Sequence, residues 1–456
     1  MKRFLTWKET ITITSMLFGL FFGAGNLIFP IYMGQLAGYE VWKAAAGFLI
    51  TGVGLPLLGV AALGISKSSG LAELSARVGH AYSYFFTCAL YLTIGPFFAI
   101  PRCATVSFEV GIAPVLPENV SGPLPLAAFS LLFFLAALWF SLRPGNILTW
   151  IGKILNPLFL LTLGGLIAAA FLSPMGPIGQ TAPEPAYASN AFFAGFLEGY
   201  NTMDALAGLA FGIIVVTVIQ DLGVKDPGDV AANTVRAGVF SSILMAVIYL
   251  AITVVGSQSR GLFPVSKNGG EAFALVAEHY FGRIGAAILA AAVIFACLKT
   301  AIGLVTSCAE TFVRLFPGGP GYRVWTVLFC AVSFLIANLG LNSIIAFSLP
   351  VLLFLYPLAI TLIALSLGGR LFHDDLIVYR FVTGFTLAAA ALDFFHALPD
   401  GVTGALHLTG IVEFLRGLLP FSELGLGWVL PAGAGLIAGL FASAFVRQRR
   451  KRDRAA

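Results

Sequence analysis

The chain has 456 residues, of which 59% are hydrophobic and only 10% are charged, and its formal net charge is +5. Soluble globular domains carry about 25% charged residues, so this composition excludes an ordinary soluble protein. The basic residues are scattered over loops and the tail, which gives no concentrated surface for nucleic acid. The five cysteines and five histidines follow neither a disulfide framework nor a metal-ligand spacing, so we expect no transition metal.

Apolar runs of roughly 20 residues recur along the whole chain, each long enough to cross about 30 Å of hydrocarbon. They predict an all-α integral membrane protein with twelve transmembrane helices. The first run is too long for a signal peptide and lacks a small-residue cleavage site. The twelve spans are predicted near residues 10–33, 41–65, 80–112, 123–141, 147–173, 190–220, 233–257, 284–313, 324–340, 342–366, 377–398 and 426–446.

The distribution of Lys and Arg among the loops orients these spans. Alternate loops and the carboxyl-terminal tail are basic, whereas residues 113–122 and 174–189 contain neither Lys nor Arg. Cytoplasmic loops carry this excess of positive charge. We therefore expect both termini to lie in the cytoplasm, below the cell inner membrane. The outer loops near 258–283 and 399–425 are mixed in composition and are expected to carry short interfacial helices.

The first span is interrupted between Gly19 and Pro30 by glycines, an asparagine and the proline. An interior Gly costs a helix about 1 kcal/mol relative to Ala, and an interior Pro about 3. Irregular backbone persists at membrane depth only where protein or a cavity lines it. We expect two half-helices, the second starting with the amides of Ala24, Gly25 and Asn26, which suit a substrate carboxylate. Close helix packing by small residues is the alternative.

The sixth span is interrupted between Glu198 and Gly212. Spans one and six cross the membrane in opposite directions, and two broken helices at matching positions are typical of an inverted repeat with a central site. The carbonyls of residues 200–202, which are Tyr200, Asn201 and Thr202, are candidates for binding a substrate ammonium group. Asp204 adds a carboxylate, which at this depth is expected to contact substrate or ion. Its alternative role is as a partner for Lys299 or Arg102.

Three other charged residues within the predicted spans are candidates for a coupling or gating role. Arg102 and Glu109 are seven residues apart on the third span, and a structural or gating ion pair is favoured over substrate contact. Lys299 lies on the eighth span, where a coupling role and a structural salt bridge remain equally open, since a buried lysine changes its pKa readily.

Four runs give the chain a resemblance to a known family: Phe22–Pro30, Gly95–Arg102, Glu198–Gly212 and Ser348–Pro357. Over nearly its full length the chain resembles the bacterial branched-chain amino acid:cation symporters. The resemblance implies a LeuT-like fold, a five-plus-five inverted repeat with broken first and sixth helices and two peripheral helices. It places the transporter core at residues 1–366, with repeats at about 10–173 and 190–366. Residues 367–456 would then form two additional transmembrane helices and a basic cytoplasmic tail.

The same resemblance implies a cation site between the first and eighth spans. In sodium-coupled members of this fold a hydroxyl pair, and a carbonyl one turn earlier, complete an oxygen cage. Gly303, Thr306 and Ser307 match that arrangement, and Gly19 and Phe22 would add carbonyls from the first span. Sodium is a hard cation that prefers such oxygens. The alternative is that the two hydroxyls bond back to their own helix.

The sequence therefore predicts a secondary symporter that imports leucine, isoleucine or valine with sodium. Proton coupling, or another apolar or heterocyclic substrate on the same fold, is the nearest alternative. A channel would need polar positions all along a pore, and an enzyme would need a catalytic constellation; neither pattern is found. We expect no cofactor and no obligate protein partner, and the lipid bilayer as surroundings.

Overall fold

Residues 3–66, 68, 70–117, 123–143, 156–398 and 409–455 are described by a computed structural model of the chain, and all regular elements in this part are helical. The α-helices are α1 (Trp7–Phe21), α2 (Ala24–Leu36), α3 (Val41–Leu49), α4 (Leu55–Ser66), α5 (Leu71–Ala76), α6 (His80–Leu92), α7 (Ala99–Gly111), α8 (Pro123–Ser141), α9 (Asn156–Leu172), α10 (Pro185–Ala188), α11 (Ala191–Glu198), α12 (Asp204–Asp221), α13 (Pro227–Ser259), α14 (Gly269–Leu315), α15 (Tyr322–Ala337), α16 (Leu341–Gly368), α17 (Leu376–Ala397), α18 (Thr409–Gly417) and α19 (Val429–Ala455).

The number of membrane crossings agrees with the prediction in part. Within the described ranges, nine helices are long and apolar enough to span a bilayer, or ten when the bent pair α1 and α2 counts as one span. Two shorter apolar helices, α9 and α15, occupy the places of the predicted fifth and ninth spans. The first nine residues of the predicted fifth span, 147–155, lie outside the described residues. The total of twelve crossings stays a prediction.

The first span is broken between α1 and α2, whose axes are bent by 69°. The amide of Phe22 still bonds to the carbonyl of Phe18 at 2.7 Å, but Gly23 is extended, with φ −127° and ψ −158°. The helix then restarts at Ala24. The break therefore falls inside the Gly-rich segment where the sequence predicts it.

The sixth span is broken between α11 and α12 by the 3₁₀ turn Gly199–Thr202. Met203 closes this turn with φ 62° and ψ 11°, in the left-handed region. A non-glycine residue in this conformation is disfavoured by roughly 1–2 kcal/mol, and such strain is found mainly at functional sites. A new helix begins at Asp204, directly after the turn, and its first amide donates to the Thr202 hydroxyl at 3.3 Å.

Glycine allows a close approach between the helices of the two repeats. A Cβ atom built on Gly34 of α2 would lie 2.1 Å from the carbonyl oxygen of Thr253 in α13. A Cβ on Gly208 of α12 would likewise lie 2.7 Å from the carbonyl oxygen of Pro56 in α4. The second half of span one thus packs against span seven as the second half of span six packs against span two. This correspondence is what an inverted repeat requires.

After residue 366, α19 packs along α17, and α17 packs in turn against α16. Asp375 caps α17 and accepts hydrogen bonds from Ile377 N at 3.0 Å, from the Ser443 hydroxyl and from Arg447 at 3.2 Å. Burial by itself raises the pKa of the Asp375 carboxyl, but these hydrogen bonds and the charge of Arg447 outweigh it and lower the pKa below its ordinary value. Asp375 thus fastens α19 to the start of α17.

Candidate functional site

The two broken spans meet in the centre of the molecule. A Cβ atom built on Gly25 would lie 3.5 Å from Cα of Thr202, which is ordinary van der Waals contact between the two breaks. A cavity of about 40 Å³ opens beside this contact. Its walls come from both halves of span one, from α7 and the turn before it, from α12 and from α14. They consist of Leu20, Phe21, Gly23, Ala24, Gly25, Asn26, Ile94, Ala99, Arg102, Cys103, Thr202, Met203, Asp204, Ala207, Phe211, Thr300 and Leu304.

The first-span wall of the cavity is the amino-terminal turn of α2. Its first amides have no partner within the helix, and the helix dipole places partial positive charge there. The amide of Gly23 is satisfied by Asn26, whose Oδ1 accepts from it at 2.8 Å. The amides of Ala24 and Gly25 follow at the cavity wall. This end of α2 can therefore stabilise an anionic group.

The carboxylate of Asp204, the first residue of α12, also lines the cavity. Its Oδ2 accepts one hydrogen bond from Asn26 Nδ2 at 2.6 Å and another from the Tyr249 hydroxyl at 2.7 Å. Asn26 also donates to the Tyr249 hydroxyl. All three side chains are at most 2% exposed. They form a buried network that joins spans one, six and seven, so Asp204 has these partners and not Arg102, which the sequence left as an alternative.

Arg102 approaches the sixth-span break from the third span. It donates to the carbonyl oxygen of Asn201 at 2.5 Å and to the Ser348 hydroxyl at 3.1 Å. Its guanidinium carbon lies 5.0 Å from the ring centre of Phe29. Residues seven apart on a helix are separated by about 10 Å, and Glu109 lies instead beside Gly270, at the start of α14. Arg102 therefore has other partners in this structure, and the gating role expected of Arg102 and Glu109 stays a prediction.

Of the three remaining sixth-span candidates, Tyr200 and Asn201 are not part of the cavity wall. Tyr200 is fully buried and stacks on Tyr356 with ring centres 3.9 Å apart. Asn201 gives its carbonyl to Arg102, while its side-chain amide donates to Glu198 at 3.3 Å. Thr202 is the candidate that reaches the cavity, and its hydroxyl also donates to the Gly199 carbonyl at 2.9 Å.

The predicted cation ligands are distributed along the contact between α1 and α14. Gly303 faces Leu20 of α1, at 4.0 Å from a built Cβ. Ser307 is buried. Thr306 is the other predicted hydroxyl, one position earlier on α14. The hydroxyl that the structure places against the first-span break is Thr300, whose Oγ1 would lie 3.2 Å from a Cβ on Gly23.

Gly19, Phe22 and Lys299 are not part of the cavity wall formed by the described residues. Gly19 and Phe22 are both buried at the carboxyl-terminal end of α1, where Phe22 stacks on Phe18. Lys299 precedes Thr300 in α14. Their roles in ion binding and coupling stay predictions.

Sequence reasoning did not identify Tyr249, Thr300, Cys103 or Ser348 as parts of the site. The signal for Tyr249 was available, because a tyrosine in the middle of an apolar span needs a partner for its hydroxyl. Its partner could not be read from the sequence, since Tyr249 and Asp204 are 45 positions apart.

Comparison with known proteins shows matches over almost the whole chain. A family profile described as "Branched-chain amino acid transport protein" matches residues 6–446. The chain is 52% identical to the "Branched-chain amino acid permease BrnQ" of Lactobacillus delbrueckii subsp. lactis, over 94% of this chain and 96% of that protein. It is 42% identical to the protein of the same name from Bacillus subtilis (strain 168), over 95% and 97% of the two chains.

Solved structures show the same architecture at much lower sequence identity. The inward-facing conformation of Mhp1 aligns with a TM-score of 0.61 at 13% identity, covering 96% of this chain and 91% of that one. MhsT in complex with L-phenylalanine aligns with a TM-score of 0.55 at 16% identity, covering 97% and 100%. These likenesses show the fold, and confirm the prediction of a LeuT-like arrangement.

Proposed function

The chain belongs to the branched-chain amino acid transport protein family, and we propose that it imports leucine, isoleucine and valine by symport with sodium across the cell inner membrane. The observation that carries this proposal is the contact between the two helix breaks at Gly25 and Thr202, beside a cavity lined by backbone and apolar side chains. Relatives named as branched-chain amino acid permeases support the substrate class.

The cavity suits an amino acid with an aliphatic side chain. Ala24 and Gly25 line it from span one, and Thr202 and Asp204 line it from span six. The apolar wall is supplied by Ile94, Ala99, Ala207, Phe211 and Leu304. A pocket of this kind distinguishes ligands that differ by one methylene by only about 1–3 kcal/mol. Overlapping recognition of leucine, isoleucine and valine follows.

Sodium is proposed to bind between α1 and α14, at the carbonyls of Gly19 and Phe22 with Gly303, Thr306 and Ser307. Oxygen ligands of this kind suit a hard cation. Proton coupling is the second candidate, and one observation favours it. Asp204 is a buried carboxylate bonded to the exchangeable hydroxyl of Tyr249, and intramembrane carboxylates of this kind serve as proton relays in transporters.

Transport requires the site to open, since ligand pockets usually measure about 300–1,000 Å³ and the cavity measures about 40 Å³. We propose that spans one, two, six and seven rock together against the rest of the molecule. The close contacts at Gly34 and Gly208 join these four spans in pairs. Both termini then remain in the cytoplasm, as the distribution of basic residues indicates.

Uptake of radiolabelled leucine into proteoliposomes tests the proposal, with sodium and proton gradients imposed one at a time. We expect uptake to follow the sodium gradient and to be competed by isoleucine and valine. Uptake that follows a pH gradient equally well without sodium would replace sodium with the proton. Competition by lysine or glutamate as strong as by valine would contradict the branched-chain assignment.

A further inference from the structure

Among the described residues of the cavity wall, Arg102 and Asp204 are the two with charged side chains. Arg102 stands on α7, and Asp204 stands at the start of α12. Their signs are opposite, as are the signs of the two ends of an amino acid. We infer that Arg102 binds the carboxylate of the transported amino acid, so that the zwitterion is held between a guanidinium group and a carboxylate. The inference rests on the proposed function and names a partner for one end of its substrate.

The hydrogen bonds of Arg102 are incomplete in a way that points to an anionic ligand. The side chain is 2% exposed, and its two acceptors, the carbonyl of Asn201 and the hydroxyl of Ser348, are both neutral. Its Nε is buried without a hydrogen-bond partner. A guanidinium group presents five N–H donors and no acceptor. Glu198, whose carboxylate accepts from the Asn201 side chain at 3.3 Å, adds negative charge nearby, but the hydrogen bonds of Arg102 go to Asn201 and Ser348. A buried cation without a charged acceptor is costly, and a substrate carboxylate would supply that acceptor.

The position of Arg102 relative to α2 adds a second, independent feature. Arg102 and its neighbour Cys103 line the same cavity as Ala24 and Gly25, the first two residues of α2. The guanidinium group also lies over the ring of Phe29, one turn further along α2. A carboxylate at the start of α2 would therefore share the cavity with both the first backbone amides of that helix and Arg102. Guanidinium and carboxylate groups match in a planar, bidentate geometry.

The opposite charge fixes the direction of the ligand. Asp204 is oriented by Asn26 and Tyr249, which both donate to its Oδ2. An ammonium group facing Asp204 and Thr202 places the carboxylate at Arg102. An amine without a carboxylate would leave Arg102 without its acceptor, and a carboxylate without an amine would leave Asp204 unmatched. Both analogues of leucine should therefore bind less well than leucine.

A purely structural role for Arg102 makes a different prediction. In that role the side chain only ties α7 to the sixth-span break and to α16, through Asn201 and Ser348. Loss of Arg102 would then weaken the binding of leucine and of leucinamide, which lacks the carboxylate, to the same extent, because both need the same folded site. The ratio of the two affinities separates the roles, whereas the affinity for leucine alone does not.

The experiment measures binding of L-leucine, L-leucinamide and 4-methylpentanoate to the purified full-length protein in nanodiscs. In the wild type, leucine should bind about 10- to 100-fold more tightly than leucinamide. In Arg102→Gln this preference should fall at least about 10-fold, while the preference for leucine over 4-methylpentanoate remains. In Asp204→Asn the second preference should fall instead. Ser348→Ala, which removes a tie of Arg102 but not its charge, should keep both preferences.

Arg102→Lys keeps a cation at the same depth and serves if the Gln variant does not fold. Leucine should bind to this variant, but with a reduced preference over leucinamide, because an ammonium group cannot reproduce the planar, bidentate hydrogen bonding of a guanidinium group. A full preference for leucine over leucinamide in either folded variant would overturn the inference. A wild type that binds leucine but does not distinguish leucinamide would overturn it as well, and would leave the proposed function standing. Failure of the wild type to bind leucine would refute the proposed function itself.

Discussion

Removing the hydroxyl of Tyr249 should weaken leucine binding, although this group is not part of the cavity wall. The hydroxyl donates to Asp204 at 2.7 Å and accepts from Asn26. Tyr249→Phe deletes one of the two donors that orient the carboxylate and leaves Asn26 as the other. The loss is therefore limited to one hydrogen bond to a charged group, about 1.5–3 kcal/mol. That energy corresponds to about a 10- to 150-fold weaker affinity.

The assay is equilibrium binding of leucine to purified protein, with thermal unfolding measured on the same samples. Tyr82→Phe is the matched control, since the Tyr82 hydroxyl is buried without a hydrogen-bond partner and lies in α6, away from the cavity. It should leave leucine affinity unchanged. A double-mutant cycle with Asp204→Asn should give a coupling energy of about 0.5–3 kcal/mol, as expected for groups in one network. Equal affinities in Tyr249→Phe and Tyr82→Phe would refute the assignment of this network to the site.

Four further predictions concern other parts of the molecule. Gly25→Leu should abolish leucine binding while the protein still reaches the membrane, because its Cβ would lie 3.3 Å from Phe29 and 3.5 Å from Thr202; Gly433→Leu, with open space around it, should bind normally in the same assay. In a protein that keeps Cys103 alone among its five cysteines, leucine should slow labelling by a small thiol reagent, whereas labelling of an equally buried Cys330-only protein should not change. Thr306→Ala with Ser307→Ala should weaken sodium binding by about 1.5–3 kcal/mol per lost ligand and so raise the sodium concentration needed for uptake. An unchanged dependence of uptake on sodium would exclude this site in favour of one that includes Thr300. The melting-temperature difference between wild type and Asp375→Asn should be constant near neutral pH and shrink progressively as the pH falls below about 3.9, since the stability from a carboxyl with a lowered pKa is lost as the pH falls through its folded-state pKa. A difference that does not shrink at all below that pH would show that the hydrogen bonds of Asp375 act independently of its charge.

The breaks in spans one and six could be predicted because the residues that cause them are local. Gly, Asn and Pro within an apolar run disfavour a continuous helix, whatever surrounds them. The position of the first break follows from this to within a few residues, since α1 ends at Phe21 and α2 begins at Ala24. The left-handed conformation of Met203 could not be predicted, because methionine has no local preference for it and the surrounding packing imposes it.

The partners of charged side chains could not be predicted from spacing. Arg102 and Glu109 share a helix face at a seven-residue interval, but the helix rise keeps them about 10 Å apart. The acceptors of Arg102 come from residues 99 and 246 positions away in the sequence. The partners of Asp204 depend in the same way on how spans one, six and seven pack together. The spacing of residues in a single sequence does not indicate such long-range contacts.

The glycine contacts between helices have a consequence for protein engineering. At Gly34 and Gly208 the facing atoms belong to the backbone of the neighbouring helix, so no repacking of side chains can make room for a larger residue. Substrate scope cannot be redesigned from these positions. The apolar wall of the cavity is different, because Ala99, Ala207 and Leu304 contribute side chains whose size can be changed. A library confined to those three positions would vary the pocket while leaving intact the helix pairs that carry it.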